Sequence, residues 1–244
     1  MDRESRVARG LDARPPRPDR PQEPEIPEDV DWQQLDRQAR ARLRTLSKAN
    51  AERVGQHLVM AGRLIDDDPD LAYEHAQAAV RRAGRVDVVR EAAALTAYAA
   101  GRYAEALREV RTVRRLSGVD AHRAIEADCE RGLGRPDRAL VIIAEAPSTL
   151  SADDLAELAL VEAGARTDLG ELDAALSVIE RVDPKGLSAD SVERVADARH
   201  DALVALGRAE PREEPATEAG AEGGDAREDA DDDVIGLDDL GEVQ

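Results

Sequence analysis

The stretch AAGRYAEALREV, residues 99–110, reads as a helix that stops at a tight turn, followed by a second helix that starts with Tyr103, Ala106 and Leu107. Gly101 is the stop, because glycine takes the left-handed backbone that closes a helix without a Cβ clash. A single helical hairpin says little about a protein, whereas a repeated one builds a surface. The same turn signal recurs at Gly101-Arg102, Gly134-Arg135, Gly170-Glu171 and Gly207-Arg208, at intervals of 33, 36 and 37 residues. Each follows an Ala-rich helical run, and the first three precede another. A second ruler is the Ala in LAYEHAQAAV, YAEALREV, PDRALVII and LDAALSVI: Ala72, Ala106, Ala139 and Ala175, separated by 34, 33 and 36 residues. Two independent markers with one period establish an internal repeat.

Composition fits a helical repeat. The chain has 244 residues, 42% of them apolar, yet only 2% aromatic and no Phe. Packing therefore falls to Ala, Val, Leu and Ile, which favours closely approaching helices and an all-α fold.

The formal net charge of −19 is unevenly spread. Residues 1–27 carry six Arg and six acidic residues, 28–208 carry 26 basic and 33 acidic, and 209–244 carry two Arg against 14 acidic. A net acidic chain repels nucleic acid and anionic lipid at long range, which disfavours non-specific binding to either. No apolar run approaches a membrane span, and MDRESRVARGLDARPP lacks the apolar region of a secretory signal. A cytoplasmic protein without membrane contact is the expectation. Cys129 is the only cysteine, which excludes an intrachain disulfide and a cysteine-rich zinc site.

Residues 10–27, GLDARPPRPDRPQEPEIP, contain six prolines and little to bury, which predicts a disordered arm over 1–29. EPREEPATEAGAEGGDAREDADDD combines like charge, Gly and Pro, and predicts a second disordered segment over 209–244. The folded part is then 30–208.

GRYAEAL, GRPDRAL and GELDAAL resemble the middle of the tetratricopeptide repeat, in which Gly closes the first helix and a small Ala lets the second approach it. Val110, Ile143 and Ile179 match the apolar position that follows, and Val113, Ala146 and Val182 match the small or apolar one after it. Pro147 and Pro184 fall near the closing proline, and the resemblance covers about residues 55–208. Departures are the loss of the family's early Trp or Leu and of most aromatics, with only Tyr98 and Tyr103 near aromatic positions. Further departures are the unusual first turn, where Gly62 is followed by RLIDDDPD, and a last unit, HDALVALGRAEPREE, that ends at Pro211. Edge repeats are commonly atypical. The chain also resembles small proteins of this family from high-GC actinobacteria, which 32 Arg against two Lys would fit.

What the resemblance implies is a right-handed solenoid of about four hairpins, with protein or peptide binding as its use. In similar repeats the first helix of each pair lines a concave face, here Glu91, Leu95, Tyr98, Ile125, Asp128, Arg131, Leu160 and Thr167. The Lys and Asn clamp by which some relatives hold a terminal carboxylate is not evident.

In the second unit Leu107, Val110 and Val113 recur at helical spacing, with Leu95 and Tyr98 on the preceding helix, and stacking of neighbours would hide them. Residues 30–54 read as one or two helices with Trp32, Leu35, Leu43 and Leu46 available to cover the open end. Trp32 is preferred as a lid anchor over a partner-binding residue.

Candidate chemistry meets plainer explanations. No GxSxG or Cys with a partnered His is present, and Cys129 in IEADCERG reads as a small packing residue. His57, His75, His122 and His200 are scattered, without metal-ligand spacing. Asp66, Asp67, Asp68 and Asp70 lack the geometry of a calcium loop and read as turn and cap residues before Pro69. Ser151 and Asp154 form a capping box, and no Gly loop precedes a GK[ST]. The expectation is no enzyme, no cofactor and no metal.

Two basic stretches stand apart. From Arg81 to Arg115 there are nine Arg against four acids, with Arg108, Arg111 and Arg115 on one helical face. Residues 37–53 add Arg37, Arg40, Arg42, Arg44, Lys48 and Arg53 against Glu52. A solvated outer face is preferred, ahead of a site for an acidic protein segment. A nucleic-acid or ribosome-associated role is the alternative function, weakened by the near absence of stacking aromatics. AREDADDDVIGLDDLGEVQ sets Val234, Ile235, Leu237 and Leu240 among acids, which suggests a docking segment, for the basic helices of this chain or for a partner.

Overall fold

The computed structural model describes residues 22–118, 122–147 and 149–212. Contacts divide the chain at Glu210. All ten α-helices among the described residues precede that point, no strand occurs among them, and Pro211 and Arg212 beyond it have no regular structure. Of the segments expected over 1–29 and 209–244, residues 1–21 and 213–244 lie outside the described residues.

The helices are α1 (Arg37–Arg42), α2 (Lys48–Leu64), α3 (Pro69–Ala83), α4 (Asp87–Ala99), α5 (Tyr103–Ser117), α6 (Arg123–Gly132), α7 (Pro136–Ala144), α8 (Ala152–Asp168), α9 (Leu172–Glu180) and α10 (Ala189–Ala205). Single turns of 3-10 helix at Trp32–Gln34 and Leu43–Thr45 flank α1. From α2 onward each helix packs on its successor, and α2 also meets α4, α6 meets α8 and α8 meets α10. No helix among the described residues is long and apolar enough to cross a membrane.

All four turn glycines have positive φ: +67° at Gly101, +73° at Gly134, +78° at Gly170 and +65° at Gly207. Each closes its helix with the same two bonds. The glycine N–H donates three residues back, as Gly101 does to Tyr98 O at 2.9 Å, and the next N–H donates five residues back, as Arg102 does to Ala97 O at 2.8 Å. This pairing satisfies the last carbonyls of the helix and reverses the chain within a few residues. Starts are set by caps. Asp68 accepts from Leu71 N, and Ser151 and Asp154 exchange side-chain to backbone bonds, as expected from the sequence.

The second ruler is the packing notch. Ala72, Ala106 and Ala139 are 0% exposed and Ala175 1%, so a methyl group is all that separates the helices there. The core is correspondingly a series of small clusters. Ala97, Ala106, Leu107 and Cys129 join α4, α5 and α6, then Ala127, Ala139, Ile142 and Ala165 join α6, α7 and α8. Ala163, Ala175, Val178 and Ile179 continue the pattern in α8 and α9, with Val195, Ala198 and Ala202 of α10 against them. Cys129 is fully buried in this series, and burial pushes its thiol up to about 12, so it serves as a small apolar side chain.

The amino-terminal boundary needs correction. Residues 22–29, expected to belong to a disordered arm, are held on the first hairpin. Ile26 and Val30 pack on Val59, Met60 and Leu64, Arg63 pairs with Asp29 at 2.9 Å, and Glu23 takes two bonds from Arg82 at 2.8 Å each. Proline content masked two apolar anchors and one well-matched carboxylate. Leu43 is completely buried among α2, α3 and α4, which fits its expected role in closing that end. The backbone of Trp32 lies directly over α2, where a Cβ on Gly55 would come within 2.6 Å of the Trp32 Cβ.

Beneath this segment His57 and His75 are buried, their Nδ1 atoms 3.0 Å apart, and His57 Nε2 is 3.5 Å from Glu23. One Nδ1 must carry a hydrogen and the other a lone pair, so at least one of the two rings is neutral. Burial, helped by His75 and Arg53, holds His57 down at about 4, and burial with Arg53 also lowers His75. The hydrogen bonds from Arg82 hold Glu23 at about 2.

Two outcomes follow. Ala139→Leu overpacks the α6–α7–α8 notch and should cost about 1–3 kcal/mol, read as a lower urea midpoint at unchanged slope. The unfolded chain protonates His57 and Glu23 at higher pH than the folded chain does, from ordinary values of 6.5 and 4.5. The histidine contribution is therefore intact above 6.5 and lost as the pH falls towards 4, and the Glu23 contribution is lost from 4.5 downwards. Urea midpoints should fall across that range, and less steeply in His57→Gln.

Candidate binding groove

The first helices of successive hairpins, α4, α6 and α8, together with α10, bring nine side chains around a groove of about 390 Å³. Its apolar wall is Ala124, Ile125, Leu160 and Val161, and its polar members are Tyr98, Asp128, Arg131, Glu157 and Arg194. Helical spacing explains the lining: Ala124, Ile125, Asp128 and Arg131 lie on one side of α6, and Glu157, Leu160 and Val161 recur likewise on α8.

The polar groups are cross-braced between helices. Tyr98 Oη donates to Asp128 Oδ2 at 2.5 Å, and Arg131 Nη1 donates to Asp128 Oδ1 at 2.6 Å. Arg131 Nε then reaches Asp168 Oδ2 at 2.8 Å, and Arg194 makes a two-pronged pair with Glu157. Gly164 makes room for this bracing, since a Cβ there would lie 2.5 Å from Arg131 Cζ. Burial raises the Tyr98 phenol, and its bond to Asp128 raises it further, so it stays a neutral donor. For Arg131 burial opposes the charge, but bonding to Asp168 and the field of Asp128 outweigh it.

Five of the eight residues expected on the binding face, Tyr98, Ile125, Asp128, Arg131 and Leu160, meet in this groove. Glu91 lines a different cleft of about 270 Å³ with Arg42 and Asp87, and its carboxylate faces His122 Nε2 at 2.9 Å. Leu95 is half-buried outside the groove, and the Thr167 hydroxyl donates to Ala163 O of its own helix. Glu157, Val161, Ala124 and Arg194 were missed. A signal existed for two of them, because Glu157 and Arg194 are opposite charges one repeat apart, as are Arg131 and Asp168.

On the basic face of α5, Arg108, Arg111 and Arg115 are all exposed, but they differ in their partners. Arg111 is not a free surface cation: it donates to Glu126 at 3.0 Å and to Glu130 at 3.1 Å. Both carboxylates are 2% exposed on α6. Arg114 and Arg123 also reach Glu126, at 2.6 and 3.1 Å, and Arg135 reaches Glu130 at 2.7 Å. Burial raises Glu126, but Arg111, Arg114 and Arg123 more than reverse it and the carboxyl ends below its ordinary value. Arg108 stays exposed beside Glu105 at 3.7 Å, and Arg115 is exposed.

No protein-family model and no curated protein matches this chain. Its functional reading therefore rests on the groove and on the charges around it. No group of three or more His, Cys, Asp or Glu suited to a metal ion occurs among the described residues.

Arg111→Ala leaves Glu126 and Glu130 with fewer cations and should destabilise the fold by about 1–3 kcal/mol, while Arg115→Ala stays within about 0.5 kcal/mol. Thermal and urea unfolding of the two variants checks the contrast, and equal effects would return Arg111 to the solvated face.

Proposed function

We propose that this chain is a non-catalytic scaffold of tetratricopeptide-like repeats that binds a peptide segment of a protein partner in the groove between α4, α6, α8 and α10. The observation that carries the reading is the pairing inside the groove. Asp128, Arg131, Glu157 and Arg194 are already matched to one another or to Asp168, so the surface offered to a ligand is the apolar wall, with the rim charges as secondary contacts. A rigid, internally satisfied frame around apolar side chains suits an extended peptide, because little must be ordered on binding.

Support for stacked repeats comes from the matching turns at Gly101, Gly134, Gly170 and Gly207 and from core clusters that each join neighbouring units. The nucleic-acid alternative loses much of its basic surface, since Arg42, Arg53, Arg82, Arg90, Arg111 and Arg114 face carboxylates. A cytoplasmic setting accords with a single buried thiol.

Selection from a peptide library on the immobilised full chain, followed by affinity measurement, tests the reading. Leu160→Asp should weaken the selected peptides by about tenfold or more, whereas Val141→Asp, at an exposed position on α7, should not. Equal affinities for the two variants would remove the groove from consideration.

A further inference from the structure

A second cleft, at the amino-terminal end, has the opposite electrostatic character. Arg37, Arg40 and Arg44 recur at spacings of three and four, so they share one side of α1 and of the turn that continues it. With Trp32 they line a cleft of about 270 Å³. Among the described residues no carboxylate forms a salt bridge with any of the three. Arg40 Nε is buried without a hydrogen-bond partner. The acids closest in sequence are engaged: Asp31 accepts from Gln33 N, and Asp36 accepts from Gln38 N and Ala39 N.

That arrangement differs from that of Arg42, Arg90 and Arg111, which are matched to acids on a neighbouring helix. Three cations on one face repel each other, and the fold gains no ion pair from them. A buried guanidinium N–H without an acceptor is a cost that a ligand carboxylate would remove. Arginine forks hold carboxylates through paired, charge-assisted bonds, and the indole gives an apolar platform beside them.

We propose that Trp32, Arg37, Arg40 and Arg44 form a docking cleft for an acidic peptide segment, whose carboxylates bond the guanidinium groups while a neighbouring aliphatic side chain lies on the indole. Charge complementarity carries the choice of occupant. Single-stranded nucleic acid needs successive stacking platforms along a basic track, and here one aromatic residue stands alone in a chain of net charge −19. An acidic peptide brings fewer charges against that net repulsion and an apolar group to use the indole. This cleft is separate from the α4–α10 groove, shares no lining residue with it, and stands or falls independently.

Trp32 is the only tryptophan, so its emission reports on this cleft directly. The full chain is titrated with a synthetic peptide of residues 228–244, EDADDDVIGLDDLGEVQ, which carries the required chemistry. A saturable change in emission is expected, weakened about tenfold in the double variant Arg40→Gln, Arg44→Gln, and kept in Arg115→Gln. Raising salt from about 50 to about 300 mM should weaken it several-fold. A full-length variant with the acids of 228–239 changed to amides accompanies it. A response in that variant alone, with a shifted starting emission, also supports the cleft and identifies this chain's own segment as its occupant. Absence of a response in both chains overturns the proposal, as does a response to a single-stranded RNA decamer without one to the peptide. Circular dichroism of each variant separates lost binding from lost fold.

Discussion

Four methyl groups set the distance between helices in this protein. Ala72, Ala106, Ala139 and Ala175 are at most 1% exposed, each where the second helix of a hairpin crosses its neighbours. A larger side chain there would push the helices apart, and a glycine would forfeit both contact and helix propensity. With almost no aromatic residues to fill gaps, close approach is the way this chain gains enough contact to offset its chain entropy. Core clusters consequently stay small, and each includes residues from the following unit.

Close approach also governs where charge can go. Helices that meet through alanine leave their long polar side chains at the margins of the contact, where they reach across to the next unit. Arg131 to Asp168, Arg194 to Glu157 and Ser188 N to Asp153 all span one repeat length. Arg102 with Asp70 and Arg208 with Asp173 repeat one motif, the arginine after a turn glycine bonded to the acid two residues before the preceding notch alanine. Exposed pairs of this kind contribute about 0–1 kcal/mol each, so their effect is more on register between units than on total stability. The buried Glu126 and Glu130 differ. Desolvated carboxylates require their arginines, and that requirement ties α5, α6 and the turn before α7 together.

The candidate sites follow from this division. Where first helices lie side by side, pairing between units consumes the charges and leaves an apolar wall between Tyr98 and Arg194. Among the described residues, on α1 only Arg42 meets a carboxylate of a neighbouring helix, Asp87, and Arg37, Arg40 and Arg44 stay unmatched beside Trp32. Two candidate surfaces of different chemistry thus differ in how far neighbouring helices match their charges.

The sequence alone determined the helices, their turns and their period, because glycine closure, Asp68 and Ser151 capping and a buried alanine are local constraints that residue type expresses directly. The resemblance to tetratricopeptide repeats implied eight face residues, of which Tyr98, Ile125, Asp128, Arg131 and Leu160 meet in the groove and Glu91, Leu95 and Thr167 do not. Tertiary structure decided which charges remain available. Arg111 and Arg115 look alike in the chain and both are exposed, yet only Arg111 is bound to two buried carboxylates. The order of residues 22–29 likewise depended on Arg82, 59 positions from Glu23. An ion pair is a property of two distant residues and the distance between them, and only the packed helices fix that distance.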